Sequence, residues 1–347
     1  MEAPPSLMQV SRPAPGFSRQ KALILVNVGT PDSPDRPSVR RYLKEFLNDK
    51  RVIDLPWLIR KVLVNMIIIP SRVKKSTGLY KRLWTNDGSP LLIYTYSLAE
   101  KAGKIASRDM DIFTAMRYGK PSLDVLLNEI KKKDYDKIII FPMYPQYAAS
   151  TTGSVTYLVR KHDLENKKGT EIRLIPQFWS EPGFIDSFTD KIRSYMPGDF
   201  DHIIFSYHGL PLRQINKVHP GHDSRDCICE KEMPAWGNRC YKAACYNTTR
   251  LLAHKLSLEE GRHTTAFQSR LTRNWLSPFT DETIIRLAGE GVERILLVAP
   301  SFVTDCLETL IEIEQDYRDL FLRNGGKELL LVKSLNDSPS WARALLD

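Results

Sequence analysis

Residues 202–211 read His202-Ile203-Ile204-Phe205-Ser206-Tyr207-His208-Gly209-Leu210-Pro211. The apolar, β-branched run over 202–207, stopped by Gly209 and Pro211, spells a buried strand and then a turn. That turn forces the chain off the sheet while His208 stays at its edge, where an imidazole either takes a proton or hydrogen-bonds a loop. Three more clear runs lie at 22–28, 137–143 and 294–299. Runs at 112–116, 172–176, 264–268 and 328–332 are shorter or interrupted by polar residues. Each is followed by a loop and a segment of helical period, an alternation that argues for parallel α/β sheets. Eight such strands suit two four-stranded sheets better than one. Trp179-Ser180-Glu181-Pro182-Gly183-Phe184 breaks the alternation, so one half is expected over 21–180 and the next over 181–325.

Composition sets outer limits. With 347 residues, 42% hydrophobic and 26% charged, the chain can bury a large core without disulfides. Its five cysteines are an odd number, and four crowd between Cys227 and Cys245, which points to a reducing cytosol. Residues 1–20 read as a loose tail without the apolar core of a secretory signal. The most apolar stretch, 55–70, contains Arg60, Lys61 and Asn65 and is too short to span a bilayer. A formal net charge of +9 suits nucleic acid, an anionic membrane surface or a carboxylate-bearing ligand. The basic residues form no long run, so nucleic acid is not expected.

Open parallel sheets bind ligands beyond the carboxyl ends of their strands. Those ends carry Asn27-Val28-Gly29-Thr30-Pro31, Tyr144-Pro145-Gln146-Tyr147, Gln268-Ser269-Arg270 and Ser301-Phe302-Val303-Thr304-Asp305, besides His208 itself. Groups from both halves are thus expected to face one cleft. The first of these turns lacks both the Gly-x-Gly-x-x-Gly spacing and the Walker lysine, so no nucleotide cofactor is expected.

Three segments hold ionisable or apolar side chains in patterns of their own. Glu308, Glu312 and Asp316 fall at i, i+4 and i+8 and share one face of an expected helix, opposite Leu307, Leu310, Ile311 and Ile313. Like charges at that spacing weaken a helix, so the ladder is solvated, binds cations or carries protons. Cys227, Cys229, Cys240 and Cys245 can hold zinc or an iron–sulfur cluster or stay free, and we favour [2Fe-2S], with His219 and His222 as substitute ligands. Residues 56–70 form an expected amphipathic helix, which either packs on the core or makes an apolar lip over a flat ligand.

Taken in order, these and further stretches resemble the ferrochelatases from about Lys21 to Tyr317. The first half contributes Leu25 to Pro31, Arg41-Tyr42-Leu43-Lys44-Glu45-Phe46-Leu47, Gly88-Ser89-Pro90-Leu91, Ala115-Met116-Arg117-Tyr118-Gly119, Phe141 to Tyr147 and Thr151-Thr152-Gly153-Ser154. The second contributes Ser206 to Pro211, Phe267-Gln268-Ser269-Arg270 and Phe302 to Leu310. The resemblance implies two flavodoxin-like, Rossmann-type domains of the chelatase fold enclosing a porphyrin cleft, with 326–347 packing back on the body. It implies insertion of Fe2+ into protoporphyrin IX to form protohaem, the last step of haem biosynthesis. Coproporphyrin III, another tetrapyrrole chelation, or a non-catalytic porphyrin carrier are the alternatives.

By the same likeness His208 is the general base and a metal-side ligand, Glu308 its partner, and Glu312 with Asp316 a route for metal or protons. Arg41, Tyr42, Ser89, Met66 and Tyr147 become contacts to the ring or its propionates, and 55–70 becomes the active-site lip. Cys306 stands where other members carry histidine. The insertion over 222–245 resembles the cysteine segment of bacterial members that hold [2Fe-2S]. A monomer or homodimer, cytoplasmic and touching the inner membrane face peripherally, completes the expectation.

Overall fold

The computed structural model describes residues 21–196, 199–219 and 223–347. The expected tail over 1–20, and His222, lie outside them. All eight expected strands form: β1 Lys21–Asn27, β2 Met110–Met116, β3 Lys137–Pro142, β4 Glu171–Leu174, β5 His202–His208, β6 His263–Gln268, β7 Arg294–Val298 and β8 Glu328–Val332. They make two four-stranded parallel sheets, ordered β2-β1-β3-β4 and β6-β5-β7-β8.

Helices on both faces of a parallel sheet bury its inner strands from two sides, which requires continuous apolar runs rather than alternation. Strand β1 is accordingly buried from Ala22 to Asn27, and β5 from His202 to Tyr207. Strand β4, at a sheet edge, alternates exposed and half-buried residues, which is why its sequence signal is weak. One core gathers Ile24, Val26, Ala115, Leu127, Ile138 and Ile140; another gathers Ile204, Ala266, Ile284, Ile295, Leu297 and Phe321.

The chain divides into two compact units, one holding residues up to Tyr144 with Ala148–Gln177 and Asp337–Asp347, the other Pro145–Tyr147 and Phe178–Asn336. The expected break near 180 thus falls at 177/178, and the return expected to start at 326 starts at Asp337. The reason is β8, which pairs with β7 along its whole length and so stays in the second unit. In the first unit the Pro339–Ala344 helix buries Trp341 edge-on to Phe141, ring centroids 6.2 Å apart.

The segment expected as one amphipathic helix is helical but opens into a wider π-turn over Leu63–Ile68, between α-helices Trp57–Val62 and Ile69–Leu83. Its polarity is partly inverted. Trp57, Leu58, Ile59, Val62, Met66 and Ile67 are all more than half exposed, whereas Arg60 is buried. Arg60 donates from Nε to the Asn48 carbonyl at 3.0 Å and from Nη1 to the Leu55 carbonyl at 2.7 Å, satisfying backbone acceptors of the preceding loop. Val64 and Ile69 turn inward with Leu47.

Gly29, after β1, has φ of +109°, and a Cβ there would lie 1.7 Å from the Tyr118 carbonyl oxygen. Its own carbonyl accepts from the Tyr42 hydroxyl at 3.1 Å. No side chain fits without moving the loop after β2. Gly29→Ala is expected to destabilise the fold by about 2–4 kcal/mol, read as a lower denaturation midpoint at unchanged m. A loss below about 0.5 kcal/mol, the range of an ordinary surface change, would contradict the backbone crowding.

Candidate active site

In the second unit the sequence-predicted acid–base residues meet at the carboxyl edge of one sheet. His208 closes β5 and lies in register with Gln268, which closes β6. The His208 N–H donates to Ser301 Oγ at 3.2 Å, and its carbonyl accepts from the Tyr241 hydroxyl at 2.8 Å. Gly209 passes so near β6 that a Cβ would fall 2.8 Å from the Gln268 carbonyl oxygen, which explains the glycine.

The imidazole of His208 is half buried, with the rings of Phe302 and Trp275 at centroid distances of 6.2 and 6.5 Å. Its Nδ1 lies 2.7 Å from the Gly209 carbonyl oxygen. A carbonyl can only accept, so Nδ1 carries the proton and Nε2 keeps the lone pair in the neutral ring. The backbone fixes the tautomer a base needs.

Glu308 begins a π-helix, Glu308–Tyr317, where the sequence had suggested an α-helix. A π-turn closes i→i+5 bonds, so residues four apart fall slightly short of a full turn instead of past it. The acidic residues still neighbour one another, but their burial is graded. Glu308 and Glu312 are half buried, and Asp316 is exposed. Thr309, Ile311 and Ile313 occupy the buried side, whereas Leu310, expected with them, is half buried.

Two side chains that the sequence reading did not single out hold Glu312. Ser269 donates its N–H to Oε1 at 2.9 Å and its hydroxyl to Oε2 at 2.6 Å, and the Tyr317 hydroxyl donates to Oε1 at 2.8 Å. Ser269 adopts a left-handed φ of +62°, a strained choice for a non-glycine residue. Burial raises the Glu312 carboxyl above its ordinary range, opposed by those hydrogen bonds and by the charge of His208, and reinforced by Glu308. His208, Glu308 and Glu312 therefore share one electrostatic field.

Asp305 anchors the same helix. Its buried carboxylate accepts from Thr309 Oγ1 at 3.0 Å, the Ser334 N–H at 3.2 Å and Asn336 Nδ2 at 2.7 Å. Cys306 is buried beside Glu308, and desolvation, then the Glu308 charge, push its thiol upward. Tyr147, on the strap that joins this unit, is half buried; beside it Gln146 donates to Thr248 Oγ1 at 3.1 Å.

The first unit holds the other expected contact residues. Arg41 is exposed, donates to Asp32 Oδ2 and Ser38 Oγ, and lines two hollows of about 470 and 270 Å3. Met66 is 73% exposed on the Leu63–Ile68 π-turn. Tyr42 is buried, its ring stacked on Phe46 and its hydroxyl committed to Gly29, so within this unit it supports the turn. Ser89 is buried at the start of the Pro90–Ile105 helix, and its hydroxyl finds no partner among the described residues.

His219, Cys229 and Cys240 bring ligand atoms within 4.8 Å of one another, all three buried. Cys227 is half buried against the Ser224 carbonyl at 3.2 Å and contacts Cys229. Cys245 is buried inside the Tyr241–Leu256 helix and bonds the Tyr241 side chain. Hydrogen bonds from Cys229, the Ala243 N–H and His219, in that order, lower Cys240 to about 6 against the effect of burial, while Cys229 is raised as the donor. This donor set fits a thiophilic metal centre.

No helix among the described residues is long and apolar enough to cross a membrane. Comparison with solved structures shows the fold: the sirohydrochlorin chelatase SirB from Bacillus subtilis subspecies spizizenii, in complex with cobalt, aligns over 94% of this chain and 92% of its own, with a TM-score of 0.51 at 11% identity. Ferrochelatases from Coxiella burnetii (strain CbuK_Q154) and Azotobacter vinelandii are 39% and 40% identical, each over 93% of this chain and over 91% and 96% of their own lengths. The ferrochelatase family model matches residues 20–347. With that match spanning both sheets, the strand end at His208 and the helix start at Glu308, the chain belongs to the ferrochelatases, enzymes that insert ferrous iron into porphyrin.

Proposed function

We propose that this chain inserts Fe2+ into protoporphyrin IX to give protohaem, with His208 as the base and a metal-side ligand, and Glu308 as the carboxylate that holds or delivers the iron. Two pyrrole N–H bonds break, the nitrogens bind iron, and two protons leave; iron stays ferrous throughout. The carrying observation is the His208 imidazole, its Nδ1–H tied to Gly209 and its Nε2 lone pair left for a proton. Phe302 and Trp275 flank it with apolar surface suited to a flat macrocycle.

His208→Ala is expected to abolish iron insertion, a loss of at least about 100-fold, while porphyrin titration by absorbance remains within a few-fold of wild type. Unchanged turnover rejects the assignment, and wild-type protein that binds porphyrin without inserting iron favours a carrier. Fe2+, Co2+ and Zn2+ assayed side by side test the alternative of another metal chelatase, because imidazole and carboxylate bind all three by ligand type. Turnover with protoporphyrin IX against coproporphyrin III, which carries further propionates, decides the ring.

In this reading Glu312 moves protons rather than gripping iron, because both of its oxygens already accept hydrogen bonds and burial favours its neutral form. Asp316, exposed one π-turn further, hands protons to solvent. A carboxyl raised above its ordinary 4.5 leaves the native state holding more proton than the unfolded chain, so its contribution to stability falls as pH rises past that value. Glu312→Gln should therefore remove a destabilisation that grows above pH 4.5; a wild-type minus variant Tm difference that is flat with pH would contradict it.

We also read the exposed lip around Trp57 and Met66 as the porphyrin-facing edge and a peripheral membrane contact. Met66→Glu with Ile67→Glu should leave stability within about 0.5 kcal/mol, since both side chains are already in water, yet weaken co-flotation with anionic vesicles. Equal flotation rejects the membrane contact. The cysteine segment is assigned a resident metal centre, read as [2Fe-2S], which when bound supplies one-electron chemistry apart from the insertion step.

A further inference from the structure

We propose that Tyr241 is a positioning residue of the insertion reaction: with Ser301 it replaces the rung that the sheet ladder lacks at His208, and so holds the backbone that aims the imidazole. The inference rests on the reading of His208 as the base.

The rung is missing for a reason present in the sequence. Within a parallel strand the N–H and C=O of one residue point to the same neighbouring strand. Gly209 turns its N–H to β6, where it reaches the Gln268 carbonyl at 2.8 Å, so both backbone groups of His208 point the other way, toward β7. There the ladder has stopped. Strands β5 and β7 pair in register as far as Phe205 and Val298, and shortly beyond Val298 stands Pro300, which has no N–H to give. The next amide that could serve, the Phe302 N–H, is turned back on the Ala299 carbonyl at 3.0 Å.

Two side chains take over. Ser301 Oγ accepts from the His208 N–H at 3.2 Å, the Tyr241 hydroxyl donates to the His208 carbonyl at 2.8 Å, and the two hydroxyls bond each other. Because the Tyr241 proton goes to the carbonyl, its oxygen accepts from Ser301. The bonds close a ring in which each proton points at the next oxygen, so every member polarises its neighbour. Tyr241 is firmly placed. Only 7% exposed, it opens the sixteen-residue Tyr241–Leu256 helix, whose Thr249 also bonds the Tyr207 hydroxyl at 2.9 Å. One helix therefore grips two successive residues of β5.

The grip reaches the imidazole through one peptide plane. The His208 carbonyl and the Gly209 N–H share that plane, so Tyr241 on one side and Gln268 on the other fix its tilt. The next carbonyl along, that of Gly209, holds Nδ1 at 2.7 Å. Without the Tyr241 hydroxyl the plane can swing, glycine offers little resistance, and the carbonyl leaves the imidazole. A slightly misplaced catalytic group loses rate rather than substrate affinity.

The test is steady-state iron insertion by the full chain, with turnover counted per folded enzyme. Tyr241→Phe keeps the ring and its packing and removes only the hydroxyl; kcat is expected to fall about tenfold while KM for porphyrin stays within about threefold. Ser301→Ala should lower kcat in the same sense, and the double variant should lose less than the product of the two single losses, since both break one ring. Tyr207→Phe deletes a buried hydroxyl one residue earlier, bonded to Thr249 rather than to His208, and should keep kcat within about twofold. Wild-type kcat in Tyr241→Phe, with only a lower denaturation midpoint, overturns the positioning role and leaves His208 as the base. An equal fall of kcat in Tyr207→Phe does the same, because general helix–strand packing would then account for the loss. Fully multiplicative losses in the double variant overturn the shared ring. Full turnover in His208→Ala rejects the base, and this role with it.

Discussion

The buried side-chain amide of Gln268 joins the pieces of the candidate site. At 1% exposure, its Oε1 accepts from Ser206 Oγ at 2.8 Å, and its Nε2 donates to the Glu308 carbonyl at 3.3 Å. Ser206 lies two residues before the proposed base on the neighbouring strand. One amide thus ties β5, β6 and the acidic helix together. Because an unpaired buried amide costs on the order of a few kcal/mol, these elements are locked in register more firmly than loop contacts alone could manage. Parallel pairing supplies the rest, since it ends both strands at one level and puts His208 level with Gln268.

Widened helical turns occur both in Leu63–Ile68, within the proposed lip, and in Glu308–Tyr317, beside the proposed base. Such turns are rare and are often found at functional sites. Here the consequence is concrete. An α-helix would carry Glu308, Glu312 and Asp316 progressively around the axis in one sense; the π-helix shifts each slightly in the other. Burial falls along this row, from the half-buried Glu308 and the fully hydrogen-bonded Glu312 to the exposed Asp316. The Asp305 network holds the start of that helix, so the geometry at Glu308 is set by neighbours that are already buried and satisfied.

The strands were legible because parallel sheets buried on two faces demand apolar runs, and runs such as Ile203 to Tyr207 have no other economical use. His208 was legible for a related reason, as a polar residue left where such a run stops. The wider turns were not, because hydrophobic period distinguishes helix from strand but barely separates i→i+4 from i→i+5 bonding. The sequence placed Ser269 at a ligand-facing strand end but could not show its bond to Glu312, 43 positions away, and nothing local marked Tyr317 as a partner. The four cysteines suggested a metal centre by count, with His219 as a substitute ligand; that its Nε2 lies 2.9 Å from Cys240 Sγ, 21 positions away, is not legible in the sequence.

The lip shows how a polar residue can dictate where apolar ones go. Period alone would turn Trp57, Leu58 and Ile59 toward the core and leave Arg60 in water. The loop after the Arg36–Leu47 helix, however, presents the carbonyls of Asn48 and Leu55, and Arg60 satisfies both. Charge-assisted bonds to buried acceptors contribute roughly 1.5–3 kcal/mol each, comparable with the transfer of one large apolar side chain. Once the guanidinium is committed inward, its nearest helical neighbours face out, and Val64 and Ile69 build the small core with Leu47, with Ile68 packed against it. The exposed apolar patch is thereby a fixed product of folding rather than a failure to pack. Such a surface gains free energy whenever an apolar partner covers it, and this is the property an edge meeting a flat, greasy ring requires.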